Sequence, residues 1–498
     1  MDLINNLLQG FGSLAGVAPI LAITAGVIFG IWVGAMPGLS PSMGVALMLP
    51  FTFRMPSSIS LMMLTAVYLA SNYGGSITAV TINTPGTPSA VATAFDGYPL
   101  AQQGKTGWGL GISLVASVVG GFVGIIILIL FSKPLAAVAV RMHPAEYFML
   151  ALLGLTTVAS LGGQDGIKAF AAAMLGLLIN TIGLDPISGV KRFTFGQVAL
   201  FDGFDFIPAL IGLFALSEIF MRLEENLTSE RKEMKNLDRK KEEWPTLRDY
   251  WKLKRVTLQS SLIGTLIGIF PGAGSAIASF IAYDMAKRTS KTPETFGKGN
   301  PEGVAASESA NSASVGGAMV PLLTLGIPGS ASTAVLISAL MIHDLVPGPM
   351  LFQNQPVLVY GLFASMLVAN LIMLAIGALG SQFFVKITRI PQQLLIPLII
   401  SIAVVGSFAV KNSMFDVFSC LGFGVFGWIL KRYGYPMAPI VLGMVLGSLA
   451  ESNFRRAVMM GGYGIFFTRP ASLILLALSV LSLALPFIQA HREKKKAA

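Results

Sequence analysis

The chain is 498 residues long, 54% hydrophobic and only 12% charged, where an average soluble protein carries about 25% charged residues. Its net charge is +10, but the basic residues sit in short stretches between apolar segments, with no aromatic-interleaved basic patch. That excludes a nucleic-acid partner and fits loop charge in a protein of the lipid bilayer; the single cysteine, Cys420, excludes an intrachain disulfide framework.

In chain order, residues 1–12 hold Asp2 and no Lys or Arg, so mature sequence is expected here rather than a cleaved signal peptide. The apolar segment 19–53 is interrupted by Gly30-Ile-Trp-Val-Gly34-Ala-Met-Pro37-Gly38-Leu-Ser40. A span over 61–81 leads into a second interruption, Asn83-Thr84-Pro85-Gly86-Thr87-Pro88-Ser89, and further spans are expected at 110–131, 147–161, 169–182 and 207–221. Residues 222–255 then hold 11 Lys or Arg and 8 Asp or Glu, which marks a charged cytoplasmic linker of high helical propensity. After it the order repeats. A span over 257–270 meets Phe270-Pro271-Gly272-Ala-Gly274-Ser275 and continues through 275–285. Another over 305–324 meets Leu325-Gly326-Ile327-Pro328-Gly329-Ser330 and continues through 332–342. Spans at 357–383, 394–409, 414–430, 436–449 and 471–488 complete the chain.

The fold expected is an all-α polytopic membrane protein of about ten to fourteen transmembrane helices with re-entrant or broken helices. Its organisation is a first repeat over 1–221, the linker over 222–255 and a second repeat over 256–498. Pro37-Gly38 matches Pro271-Gly272 at an offset of 234, and Pro85-Gly86 matches Pro328-Gly329 at 243. The polar insertion 289–302 accounts for much of the difference. Phe95-Asp96-Gly97-Tyr98-Pro99 supplies a third match, to His343-Asp344-Leu345-Val346-Pro347. Basic residues flank 257–291 at both ends, as in a hairpin entering from the cytoplasm, while 19–53 reaches only Arg54; the two copies are then inverted. A single broken helix is the alternative for this segment. The basic stretch 491–496 is expected in the cytoplasm.

Pro and Gly leave backbone N–H and C=O groups without helical partners, which hydrocarbon tolerates only where they line a cavity or are buried in protein. Paired breaks in two halves therefore point to a transport site. The substrate candidates are Ser40, Asn83, Thr84, Pro85, Gly86, Thr87, Ser275, Gly326, Pro328, Gly329 and Ser330, because half-helix N-termini and hydroxyls suit an anion. Asn72, Glu308, Asn311 and the Ile327 carbonyl are ion-site candidates, since oxygen donors suit a hard cation. The competing reading of each Gly and Ser is tight helix packing, a pattern met by Gly30/Gly34, Gly264/Gly268, Gly120/Gly124 and Gly443/Gly447. Asp165, Asp185 and Glu218 read as solvated span ends, and Asp96 and Asp344 also lie near span ends. His143, His343 and His491 are scattered, and neither a nucleophile elbow nor a Walker phosphate loop is present. No enzyme and no cofactor is expected; the only co-species is a coupling ion, Na⁺ or H⁺.

The strings Gly34-Ala-Met-Pro-Gly-Leu39, Tyr73-Gly-Gly-Ser-Ile-Thr-Ala-Val-Thr-Ile-Asn-Thr-Pro-Gly-Thr-Pro88, Phe270-Pro-Gly-Ala-Gly274 and Leu325-Gly-Ile-Pro-Gly-Ser330 resemble the large membrane subunit of tripartite tricarboxylate transporters, the TctA family. The resemblance runs from about residue 23 to the C-terminus, with Ala306-Ser-Glu-Ser-Ala-Asn311-Ser312 differing only conservatively. It implies a bacterial inner-membrane permease importing citrate-like di- or tricarboxylates by Na⁺ or H⁺ symport. Its partners would be a periplasmic solute-binding protein and a small four-helix membrane subunit. It also suggests an elevator-like movement, by analogy. A gradient-independent channel or a membrane scaffold is the alternative. The sequence leaves open which carboxylate is carried, which ion couples, and whether the chain forms a homodimer.

Overall fold

The computed structural model describes residues 2–36, 39–161, 166–185, 187–228, 244–271, 274–387 and 392–482. Outside them lie Pro37-Gly38, Gly272, Asp165, most of the charged linker and the basic stretch 491–496. The described residues are helical almost throughout, with one antiparallel pair, β1 (Gly183–Leu184) and β2 (Lys191–Arg192). The first half holds α1 (Asp2–Gly12), α2 (Val17–Gly34), α3 (Pro41–Thr52), α4 (Ser57–Ile82), α5 (Val91–Gln102) and α6 (Thr106–Ala139). It continues with α7 (Pro144–Leu161), α8 (Gly166–Asn180), α9 (Phe206–Leu210), a π-helical turn (Ile211–Leu216) and α10 (Ser217–Thr228). The second half holds α11 (Leu247–Ile269), α12 (Gly274–Thr289), α13 (Pro301–Leu325), α14 (Ala331–Ile342), α15 (Pro349–Asn354) and α16 (Pro356–Ile387). Then follow α17 (Gln392–Lys411), α18 (Met414–Arg432), α19 (Met437–Gly461) and α20 (Ile465–Thr468).

Among the described residues, six helices are long and apolar enough to cross a bilayer: Val17–Gly34, Thr106–Ala139, Phe206–Glu224, Pro356–Gly380, Met414–Arg432 and Met437–Gly461. Ile28, Phe131, Leu258, Leu371 and Val405 are exposed on outer helix faces, a surface suited to lipid rather than water. The protein is an all-α polytopic membrane protein. Five further apolar helices of 10–17 residues stand beside them among the described residues, and two longer helices fall short in hydropathy for a physical reason. Helices α4 and α13 have the length, but residues 60–81 and 303–324 are buried without interruption. A helix enclosed by other helices answers to packing rather than to lipid, so it carries Ser, Thr, Asn and Gly in place of long apolar side chains.

The packing repeats in register. Gly30 and Gly34 of α2 lie against the backbone carbonyls of Val67 and Ser71 in α4, and Gly264 and Gly268 of α11 against those of Ala310 and Ser314 in α13. These contacts are related by the offsets of the Pro-Gly motifs, 234 for the first helix and 243 for the second. The third sequence match does not take part: Asp96 is buried within α5, whereas Asp344 is exposed in the turn after α14. At the 243 offset, Asp96 corresponds to Ala339. Helices α11 and α12 pack on each other and both on α13, so the chain folds back at the break instead of running on as one helix.

In space the halves interleave. Gly120 and Gly124 of α6 meet Ser309 and Ala313 of α13, while α16 packs on α1, α2 and α4. Around this core stand α7, α8 and α19, closed by Gly176 against Gly443, and α9 to α10 packed on α17 and α18. The 222–255 stretch is helical at both ends: α10 runs to Thr228, and α11 starts behind a Thr246–Asp249 capping box. Asp185, expected as a solvated span end, is buried instead. It accepts backbone N–H bonds from Ile187 and Ser188, each at 2.9 Å, and pairs with Arg455 at 2.8 Å and Arg192 at 3.5 Å. The Ser188 and Ile187 N–H groups, then Arg455, hold its carboxyl below the usual carboxylate range.

Candidate functional site

Each half breaks twice, and each break starts a new helix. Helix α4 ends at Asn83 with φ 53° and α13 at Gly326 with φ 71°, the left-handed closure that Gly and Asn reach most cheaply. Pro85-Gly86 and Pro328-Gly329 then turn the chain. The Gly86 N–H donates to the Gly75 carbonyl at 3.2 Å. Gly329 packs on Ala318, which stands 243 residues after Gly75. Beyond the turns, Thr87 opens the helical turn Pro88–Ala90 that runs into α5, and Ser330 caps α14. Ser330 Oγ accepts from the Thr333 N–H at 3.2 Å, and Thr333 Oγ1 accepts from the Ser330 N–H at 2.8 Å. At the other breaks, Ser40 Oγ caps α3 by accepting from the Met43 N–H at 3.2 Å, and α12 begins at Gly274-Ser275.

All four of these helix starts face one cavity of about 650 Å³, within the range of about 300–1,000 Å³ usual for small-molecule sites. Its lining includes Ser40 and Ser42, Thr87 and Ser89, Gly274 and Ser275, and Ser330 and Ser332. Tyr68 and Asn72 of α4 add a side wall, and the Tyr68 hydroxyl meets Ser330 Oγ at 3.0 Å, joining the halves. The opposite wall is Phe214 of the π-helical turn, Glu218 of α10, Lys431 of α18 and residues 435–438. Four helix N-termini with positive dipole ends, dressed with hydroxyl donors, suit an anion with several acceptor oxygens.

Of the residues expected from sequence, Ser40, Asn72, Pro85, Gly86, Thr87, Ser275 and Ser330 line this cavity. Asn83 and Thr84 are exposed outside it, because the left-handed turn at Asn83 sends both side chains away. Gly326, Ile327, Pro328 and Gly329 are buried behind the lining, Ile327 in an apolar cluster with Leu155, Ala173 and Leu446. They shape the turn, and Ser330 faces the cavity. Sequence reasoning missed Tyr68, Phe214, Lys431 and Tyr435. Glu218, expected as a solvated span end, is paired in the cavity wall, with Lys431 Nζ 2.9 Å from its Oε2. Nothing in the sequence separates Lys431 from an ordinary basic residue at the end of a span.

Glu308 and Asn311 lie apart from the cavity, in a fully buried polar network between α4, α5, α6 and α13. Glu308 Oε1 accepts from Thr93 Oγ1, and Oε2 from Ser117 Oγ at 2.9 Å. The Asn311 amide donates to the Asn72 carbonyl at 3.1 Å, and the Asn72 amide to the Tyr68 carbonyl at 2.9 Å. Both amide oxygens, and Ser312 Oγ, are left without a donor. Asn72 thus borders the cavity on one side and the network on the other.

The model of the tripartite tricarboxylate transporter TctA family matches residues 20–442. An uncharacterised 52.8 kDa protein of the TAR-I ttuC' 3' region of Agrobacterium vitis is 37% identical over 501 residues, 99% of each chain. An uncharacterised protein of the TAR-II ttuC' 3' region of the same organism is 38% identical over 234 residues, 47% of this chain and 97% of that one. No solved structure matches. A match that takes in both pairs of helix breaks and nearly all the helices between them places this membrane protein in the tripartite tricarboxylate transporter TctA family.

Proposed function

We propose that this chain is the permease of a secondary transport system, importing a di- or tricarboxylate across a bacterial inner membrane together with Na⁺ or H⁺. A periplasmic binding protein delivers the substrate, and a small four-helix membrane subunit completes the assembly. The observation that carries the reading is the convergence of four half-helix N-termini, two from each half, on one cavity lined with hydroxyls. The carboxylate docks among Ser40, Thr87, Ser275 and Ser330. Glu308 is the candidate for the coupling ion. A carboxyl buried among hydroxyls and amides, with no cationic side chain paired to it among the described residues, sheds its charge by taking a proton or a metal cation. Thr93 ties it to α5, whose N-terminal end forms part of the cavity, so ion and substrate act on the same element. The interleaved core of α2–α6 and α11–α16 would move as one body against α7–α10 and α17–α19, with the two halves inverted.

Uptake of radiolabelled citrate and C4-dicarboxylates into proteoliposomes, with and without an ion gradient and the binding protein, tests this. Accumulation that needs both supports it. Equilibration indifferent to both means a channel and sinks it. Pro85→Ala, Gly86→Ala, Pro328→Ala and Gly329→Ala variants that fold normally and all transport at the wild-type rate would remove the site assignment.

A further inference from the structure

The half-helix wall supplies an anion with partial charges only, about half an elementary charge per helix N-terminus. A di- or tricarboxylate brings two or three full charges, and its carboxylates stand apart along a carbon chain. The opposite wall contains one cation, Lys431, the only Lys, Arg or His lining the cavity among the described residues, and one acid, Glu218, to which it is paired at 2.9 Å. Both side chains keep part of their surface open, 21% for Lys431 and 26% for Glu218. Glu218 has a second cationic neighbour, Arg222 Nε, 3.5 Å from its Oε1, so it keeps a partner if Lys431 leaves. Nearby, Glu224 takes Arg432 at 3.5 Å and the Trp428 N–H at 2.9 Å, so those groups are engaged with each other. The Lys stem is long and flexible and ends in a compact charge, able to pass from one carboxylate to another.

We propose that Lys431 is the second anchor of the substrate: it leaves Glu218 to pair with the carboxylate farthest from the half-helix wall, and so selects di- and tricarboxylates over monocarboxylates. The inference rests on the carboxylate reading of the cavity. Glu218 is the internal competitor, an anion of the protein that occupies Lys431 until substrate displaces it. The two residues therefore have opposite effects on binding, which a merely structural ion pair would not produce.

The test is binding of radiolabelled succinate and citrate to the purified full-length protein in lipid nanodiscs, with propanoate as the competing monocarboxylate. Lys431→Ala weakens succinate and citrate about tenfold or more while propanoate shifts by less than about twofold. Lys431→Arg retains the preference, and Glu218→Gln tightens di- and tricarboxylate binding. Equal weakening by Lys431→Ala and Glu218→Gln, with both melting temperatures lowered, means a structural pair and overturns the proposal. So does an equal loss for propanoate and succinate, or no change at all. Wild-type protein that binds none of the three acids fails the carboxylate reading itself. Binding that is intact but indifferent to Lys431 fails only the anchor.

Discussion

Gly86 is held between two backbones: a Cβ there would run into the Gly34 carbonyl oxygen and come within 3.0 Å of the Gly75 Cα. Gly86→Ala should therefore cost about 2 kcal/mol of stability by overpacking, measured as a lower melting temperature in detergent. An unchanged melting temperature would show that the turn can relax. The neighbouring Thr84 is exposed, so Thr84→Ala is a neutral control. Glu308, proposed above for the coupling ion, is fully buried among hydroxyls and amides. Glu308→Gln keeps the size but replaces one carboxylate oxygen with an amide NH2, removing the titratable group and its negative charge. The expected outcome is retained substrate binding with loss of dependence on the ion gradient in proteoliposome uptake; full retention of that dependence would remove Glu308 from coupling. That Ser40, Thr87, Ser275 and Ser330 stand at helix starts follows from their places after Pro or Gly breaks, which the sequence displays. That Lys431 and Tyr68 join them in one cavity does not, because both sit in ordinary helical sequence whose facing depends on packing.

The elements are set by where their backbones are capped and crossed. Asp96 of α5 reaches into the second half and accepts N–H bonds from Gly297, Gly299 and Asn300 at 2.8, 2.9 and 2.7 Å, and the Tyr283 hydroxyl at 2.8 Å. It pins the connection that leads into α13, whose N-cap is Asn300. Three backbone donors, with Asn300 the buried one, lose their acceptor in Asp96→Ala, so the variant should lose about 3 kcal/mol, and Tyr283→Phe about 1 kcal/mol. Faster amide exchange at 297–300 than in wild type, with α4 unchanged, would locate the effect. Uniform loss of protection would mean global destabilisation instead. Asp96 illustrates what sequence patterning misreads at this scale. It lies in a string resembling that around Asp344, yet its partners come from a connection about two hundred residues away, and local similarity carries no information about them.

At the scale of the whole molecule the halves cannot be separate bodies, because α6 is seated on α13 and α16 on α4. Each half alone would expose the small-residue faces of its central helix, where Gly120 and Gly124 or the α16 contacts should lie. A chain cut between Thr228 and Leu247 should therefore assemble only when both pieces are made together. Co-purification of the two pieces with a single melting transition is the expected result. Independent, stable folding of either piece would contradict the interleaving.

The sequence by itself determined the bilayer as solvent, the helical class, the two pairs of breaks and the hydroxyl-rich residues after them. Those properties follow from composition and from the intrinsic geometry of Pro and Gly, which act on their own neighbours. Only the tertiary structure decided that the four helix starts meet in one cavity, that α4 and α13 are enclosed and so fall short of lipid-facing hydropathy, and that Lys431 and Glu218 form the far wall. Each of these depends on contacts between residues distant in the chain, where the decisive quantity is which helix faces meet.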